Sequence, residues 1–205
     1  PVTNEDGTIP RDLDVYKRAN YADITATNPY YNAMLPSENR SKILSVTNNT
    51  NLNWYIIDNL RWTASMSLNT TNNDNMNFTD PAHTKYASSD YTKQGEYSSS
   101  KSRSWRYTMN TGIAYALSLN DHNLTFNGRA EIRSTSSNTE SFVATGFPKG
   151  VGAIPSFAYS FKENSTPGYS ESISRGVSFL GTFNYNYKYR YLFDASLSSD
   201  GSTSF

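Results

Sequence analysis

Residues 177–205 read VSFLGTFNYNYKYRYLFDASLSSDGSTSF. Phe179, Gly181, Phe183, Tyr185 and Tyr187 take every second position, with Thr182, Asn184 and Asn186 between them. Lys188, Tyr189 and Arg190 reverse the chain. Tyr191, Phe193, Ala195 and Leu197 then resume one face, and Asp194, Ser196 and Ser198 the other. Successive side chains of a strand point to opposite faces, so a period of two on both sides of a short polar turn predicts a β-hairpin.

Two earlier stretches repeat the design. Leu44, Val46, Leu52, Trp54 and Ile56 share a parity against Ser45, Thr47, Asn49, Asn51 and Asn53, although Asn48 and Thr50 interrupt the apolar row. Asp58-Asn59 turns the chain, and Leu60, Trp62, Ala64, Met66 and Leu68 return. Further on, Tyr107, Met109, Ile113, Tyr115, Leu117 and Leu119 lead through Asn120-Asp121-His122-Asn123 to Leu124, Phe126, Gly128, Ala130 and Ile132. The hairpins are placed at about 43–69, 105–133 and 176–198, with strands of ~10–15 residues, against a mode near 5–6 for soluble strands.

Polar, aperiodic text at 70–103 and 134–174 predicts two long connections, the second open to strand continuing through Phe142. Residues 1–40 are read as a loop region with a short helix over Asp12–Ala22. Short turns at one end and long connections at the other are the mark of an up-and-down meander rather than a Greek key. The expected fold is all-β: an antiparallel up-and-down meander of about six long strands, part of a large transmembrane β-barrel. Leu68, Met66, Leu117, Phe126, Phe183 and Phe193 are expected to face lipid. Trp54, Trp62, Tyr185, Tyr187 and Tyr191 cluster near the short turns, where an interfacial girdle would lie.

Composition agrees with strands that have one wet and one apolar face: 16 Tyr and 10 Phe stand among abundant Asn, Ser and Thr. Lys and Arg number 18, as do Asp and Glu, so no net charge draws the chain to nucleic acid. Without cysteine there is no disulfide framework, thiolate metal site or cysteine nucleophile. No run of ~18 apolar residues predicts a membrane helix, and alternating barrel strands would show none.

Little points to catalysis. His83 and His122 have no metal-ligand spacing around them, so no cofactor or metal is expected, nor an enzyme. Glu131 between Arg129 and Arg133 reads better as paired charges on a polar strand face than as an acid–base site. The segment GFPKGVG lacks the Lys-Ser/Thr and the helix of a phosphate loop. The loop aromatics Phe78, Tyr86, Tyr91, Tyr97, Phe147, Phe157, Tyr159 and Tyr169 are either packing units or flat faces for a sugar or peptide. Among them Tyr86, Tyr91, Tyr97 and Phe147 are the candidates for substrate contact.

The text NPYY, SENRSKIL, NDNMNFTDP, KYASSDYTKQGEYSSSKSRSWRY, ATGFPKG and the final hairpin resembles the SusC/RagA family of TonB-dependent outer-membrane transporters of Bacteroidetes. The likeness runs over 28–205, most strongly over 41–150 and 173–205. It implies a place in the cell outer membrane, within a barrel of roughly 22 strands. It also implies uptake of glycans or peptides with a SusD-like lipoprotein as lid. The plug and TonB-box positions have no counterpart here, so TonB would act through regions absent from this sequence. The family commonly carries Arg near Ser198, Ser199 and Thr203, and this chain does not. A start at Pro1-Val2-Thr3 and a finish inside the family-like Asp200–Phe205 lead to the expectation that 41–205 is a partial barrel. A soluble β-rich glycan-binding or adhesin module is the alternative reading.

Overall fold

The computed structural model describes residues 3–19 and 21–204. Asn20, inside the helix expected over Asp12–Ala22, and Phe205, at the end of the last hairpin, lie outside the described residues, as do Pro1 and Val2. Six long strands follow one another: β3 (Glu38–Ile57), β4 (Leu60–Thr79), β5 (Glu96–Leu119), β6 (His122–Thr145), β8 (Gly168–Tyr187) and β9 (Tyr191–Ser204). They are hydrogen-bonded in that order, and the two-residue β7 (Ser160–Phe161) adds to β6. An antiparallel meander is thus present, as the sequence pattern predicts.

The strands are longer than their apolar periodicity suggests, at 20 residues for β3 and β4 and 24 for β5 and β6. The connections expected at 70–103 and 134–174 shrink to 80–95 and 146–167. Ser, Thr and Asn dominate these strand ends and leave only a short apolar alternation, at Met76 and Phe78 and at Phe142 and Ala144, but they pair across strands. Ser41 Oγ donates to Asn75 Oδ1 at 2.7 Å, and Thr139 Oγ1 to Ser102 Oγ at 3.2 Å. Asn48 and Thr50 do not interrupt β3 either.

The helix expected over Asp12–Ala22 is not formed. Asp12–Tyr16 is strand β1, paired antiparallel with β2 (Ile24–Thr27). Asp, Val and Tyr are poor helix formers, and alternation of Asp12 and Asp14 with Leu13 and Val15 suits a ribbon. A short helix α1 (Pro29–Met34) follows, capped by the Asn28 side chain accepting from Tyr30 N–H at 3.1 Å.

The chain divides into two compact units. The strand unit comprises 43–73, 102–139 and 170–205, and contains the three short turns. On its polar face the side chains bond to one another. Ser67 donates to Asn49 at 2.7 Å, Asn69 to Thr47 at 2.6 Å, and Asn184 to Asp194 at 2.7 Å. Arg129 reaches Asn110 at 2.7 Å and Glu131 at 3.1 Å, and Arg133 reaches the same carboxylate at 3.4 Å. The other face is apolar: Trp54 meets Trp62 edge-on at 6.3 Å, and Phe183 meets Phe193 at 6.4 Å. Met66, Ile113, Phe126, Phe179, Phe193 and Leu197 on that face are exposed.

The loop unit comprises 1–42, 74–101 and 140–169. It holds the buried apolar cluster of Met76, Phe78, Ala144 and Phe147, with Tyr97, Phe142, Ala153 and Ala158 packed against it. No helix among the described residues is long and apolar enough to cross a membrane, which says nothing about crossing by strands.

Candidate functional site

The connections 80–95 and 146–167 are the segments the sequence points to for recognition, and local chemistry shapes them first. Asp80 starts the earlier one. Its Oδ1 accepts from Ala82 N–H at 2.7 Å, and its own N–H donates to Ser37 Oγ at 3.1 Å. His83 Nδ1 accepts from Lys85 N–H at 3.1 Å and so caps a 3₁₀ turn over Thr84–Tyr86. Asp90 caps a second turn over Tyr91–Lys93. Asn32 closes a reciprocal pair with Thr84, donating to Oγ1 at 2.7 Å and accepting from N–H at 3.0 Å.

The two connections then lock together. Phe147 N–H donates to Gln94 C=O at 2.8 Å, and Gly146 N–H to Gly95 C=O at 3.3 Å. Both glycines have left-handed backbones, φ +82° at Gly95 and +81° at Gly146, where a Cβ is disfavoured. A Cβ on Gly146 would also strike the Thr92 carbonyl oxygen, and would come within 2.6 Å of Tyr159 Cβ. Only glycine permits that approach. Two ion pairs flank it, Lys93–Glu163 at 2.6 Å and Lys162–Glu96 at 2.8 Å.

This clamp decides where the candidate aromatics lie. Phe147 is buried and edge-on to Phe78 at 5.3 Å. Tyr97 is partly buried and stacks on Phe142 at 5.8 Å. Tyr86 is buried beneath Lys85, whose Nζ lies 4.7 Å from its ring centroid. Burial first, and the Glu96 charge second, push the Tyr86 phenol far above its ordinary pKa, so it stays protonated. Packing therefore accounts for these three positions. Tyr91 differs: it is 74% exposed and meets Tyr159, 69% exposed, edge-on at 6.4 Å.

Among the described residues of these two connections, Tyr91 and Tyr159 form an exposed pair of rings held on a clamped base. Phe157, half exposed, ends a 3₁₀ turn over Pro155–Phe157, two residues before Tyr159. Tyr159 is not among the four sequence candidates. It is one of the loop aromatics the sequence singles out, where nothing in the text separates it from those that pack inward. Two flat faces beside hydroxyls and backbone amides can stack on a sugar ring or a peptide side chain and accept or donate hydrogen bonds at the rim. Among the described residues no group of three or more His, Asp or Glu side chains comes together as metal ligands.

No family model matches the sequence, and no curated protein matches it. Solved structures do match. A structure of the RagAB peptide transporter aligns over 93% of this chain and 20% of its own, with a TM-score of 0.70 and 19% identity. The RagAB peptide importer in its closed-closed state aligns over 97% and 21%, with a TM-score of 0.73 and 19% identity. Its open-open state gives 93% and 20%, a TM-score of 0.71 and 20% identity. The chain spans about a fifth of the length of the chains it matches. At that identity the likeness is one of fold: the meander is that of a section of the RagAB transporter. The resemblance to SusC/RagA transporters read in the sequence thus extends to the backbone.

Proposed function

We propose that this chain is a section of an outer-membrane transporter barrel that imports an oligomeric nutrient. The observation that carries the reading is the contrast between the faces of the strand unit. One face bonds its own polar groups to one another, and the other leaves Trp54, Met66, Ile113, Phe126, Phe179 and Phe193 exposed. Covering one such side chain with an apolar medium is worth about 1.5–3 kcal/mol, so a row of them calls for lipid rather than water. A tilted membrane strand needs ~9–11 residues, and these strands continue well beyond that.

Connections 80–95 and 146–167 would then stand at the mouth of the pore. Tyr91 and Tyr159 would touch the cargo, while Tyr86, Tyr97 and Phe147 would act by holding that platform rigid. A peptide is the favoured cargo, because the matching structures are of a peptide importer; a glycan is the alternative with the same stacking chemistry. A SusD-like lipoprotein would close over the mouth, and TonB would act through regions outside this chain.

The test uses the full-length protein refolded in bilayers. Phe126→Lys should destabilise it by about 2–4 kcal/mol, and Asn127→Lys, on the other face, by far less. Equal losses would remove the lipid-facing assignment. A full-length protein that is monodisperse and active without detergent would favour the soluble binding module instead.

A further inference from the structure

The turn closing the last hairpin is made of unusual residues for its backbone. Arg190 N–H donates to the Tyr187 carbonyl at 3.0 Å, and the two central residues, Lys188 and Tyr189, have φ of 53° and 54°. Positive φ at both central positions defines a type I′ turn, which Asn-Gly and its equivalents fill because a larger side chain crowds the following carbonyl. Every other left-handed position among the described residues is Gly or Asn. Hairpin stability therefore does not explain a lysine and a tyrosine here, and strain retained at one place points to a use.

The side chains at the turn suggest that use. Tyr189 is 81% exposed, more than any other large apolar side chain among the described residues. Lys188 Nζ lies 5.3 Å from the Tyr187 ring centroid and 3.4 Å from Asp121. The Arg190 guanidinium makes no ion pair or side-chain hydrogen bond among the described residues. Beneath the turn Tyr187 stacks on Tyr191 at 6.3 Å and leans on His122 at 4.8 Å. Two cations and a free ring thus stand on a base of packed rings, beside the exposed Tyr191 and Phe193 of the apolar face. Lys188 N–H donates to the Asp121 carbonyl at 2.8 Å and Tyr189 N–H to Asn186 Oδ1 at 2.8 Å, so backbone bonds tie this turn to its neighbour and to β8, but they use neither the Tyr189 ring nor the Arg190 guanidinium.

We infer that this turn is a headgroup site, in which Lys188 and Arg190 hold the phosphate of an anionic phospholipid and Tyr189 enters the interfacial layer beside it. A guanidinium matches phosphate with two parallel hydrogen bonds, and an ammonium adds a point charge. An amphipathic ring next to an apolar strand face suits the headgroup depth, whereas a soluble phosphate would leave that ring without a role. The inference rests on the barrel reading above.

The experiment reconstitutes the full-length protein in phosphatidylcholine bilayers with and without phosphatidylglycerol, and counts retained anionic lipid by native mass spectrometry. Each basic residue near an anionic surface is worth enough to change that preference roughly fivefold. Arg190→Gln should therefore lower the preference for phosphatidylglycerol about fivefold. The double change Lys188→Asn/Tyr189→Gly should lower it at least as much while leaving the thermal transition unchanged or higher, since Asn-Gly is the favoured pair for this turn. Unaltered preference in the double variant would overturn the inference. So would displacement of the lipid by inorganic phosphate, which would mark a bare phosphate site. A protein that enters neither bilayer would defeat the barrel reading; one that enters both without preferring phosphatidylglycerol would defeat the headgroup site alone.

Discussion

The two units use the same residue types in opposite ways. In the loop unit Phe78 is 1% exposed and Phe147 4%, wrapped in polar connections that a composition count would call hydrophilic. In the strand unit Phe126 is 43% exposed and Phe193 57%, although these are the segments whose text is most hydrophobic. The loop unit therefore encloses an apolar core. The strand unit leaves apolar side chains exposed on one face and bonds its polar side chains to one another on the other. The lesson is that apolar content alone did not tell which segments carry a core; the partner of each face did.

The contrast breaks most readily at Phe78. Phe78→Ala removes a fully buried ring and its edge contact with Phe147, and should lower the local stability of the loop unit by about 3–5 kcal/mol. Phe183→Ala, on the apolar sheet face, should lose only its ring contact with Phe193, about 0.5–1.5 kcal/mol, if that face meets lipid as proposed. Hydrogen exchange of the full-length protein in detergent reads both. Similar losses at the two sites would mean that the units are not built differently.

The same comparison shows what was legible in the sequence. Leu60 to Leu68, Tyr107 to Ile132 and Phe179 to Leu197 carry a period of two, because a medium on one face demands it. The hairpins and the meander follow from that. The continuation of β6 through Phe142 was open to the sequence, whereas that of β4 through 72–79 was not, because only Met76 and Phe78 alternate there among Asn, Asp and Thr. Strand β1 was missed for a related reason: five exposed residues give too short an alternation to separate from a helix. In the site, Tyr91 and Tyr97 look alike as text. Only the clamp at Gly95 and Gly146 decides that one ring packs inward and the other stays out, and that clamp is a long-range backbone fact signalled by nothing but two glycines.

A smaller effect sharpens the role of the exposed pair. If Tyr91 and Tyr159 touch the cargo, Tyr91→Ala and Tyr159→Ala should each weaken its binding by roughly three- to tenfold, the worth of one ring contact, with surface levels unchanged. Tyr86→Phe should leave binding as it was. Uptake of peptide and of glycan by the native host, measured separately, assigns the cargo. Full uptake of both with the two alanines in place would leave this platform without a binding role.

The smallest expected effect is on pH, and it concerns the loop unit. Burial first, then the Lys85 charge, hold the His83 pKa below its ordinary 6.5, with Asp80 opposing. A base with a depressed pKa takes up a proton less readily when folded, so its contribution is full above 6.5 and is lost as pH falls through the folded value. The structural event is definite, since protonation of Nδ1 removes the acceptor that caps Lys85 N–H. Further into acid, Glu163, depressed from 4.5 by the hydrogen bond and then the charge of Lys93, contributes above 4.5 and less as pH drops below it. Lys93 is raised from 10.5 by the same bond, so the pair loses its contribution again only as pH rises beyond that value. Exchange of the amides at 80–95 should therefore quicken, beyond its intrinsic pH dependence, in a first step below pH 6.5 and a second below pH 4.5. His83→Asn keeps a capping acceptor that does not titrate, and should abolish the first step alone. Persistence of that step in the variant would assign it to another group and leave His83 as an ordinary surface cap.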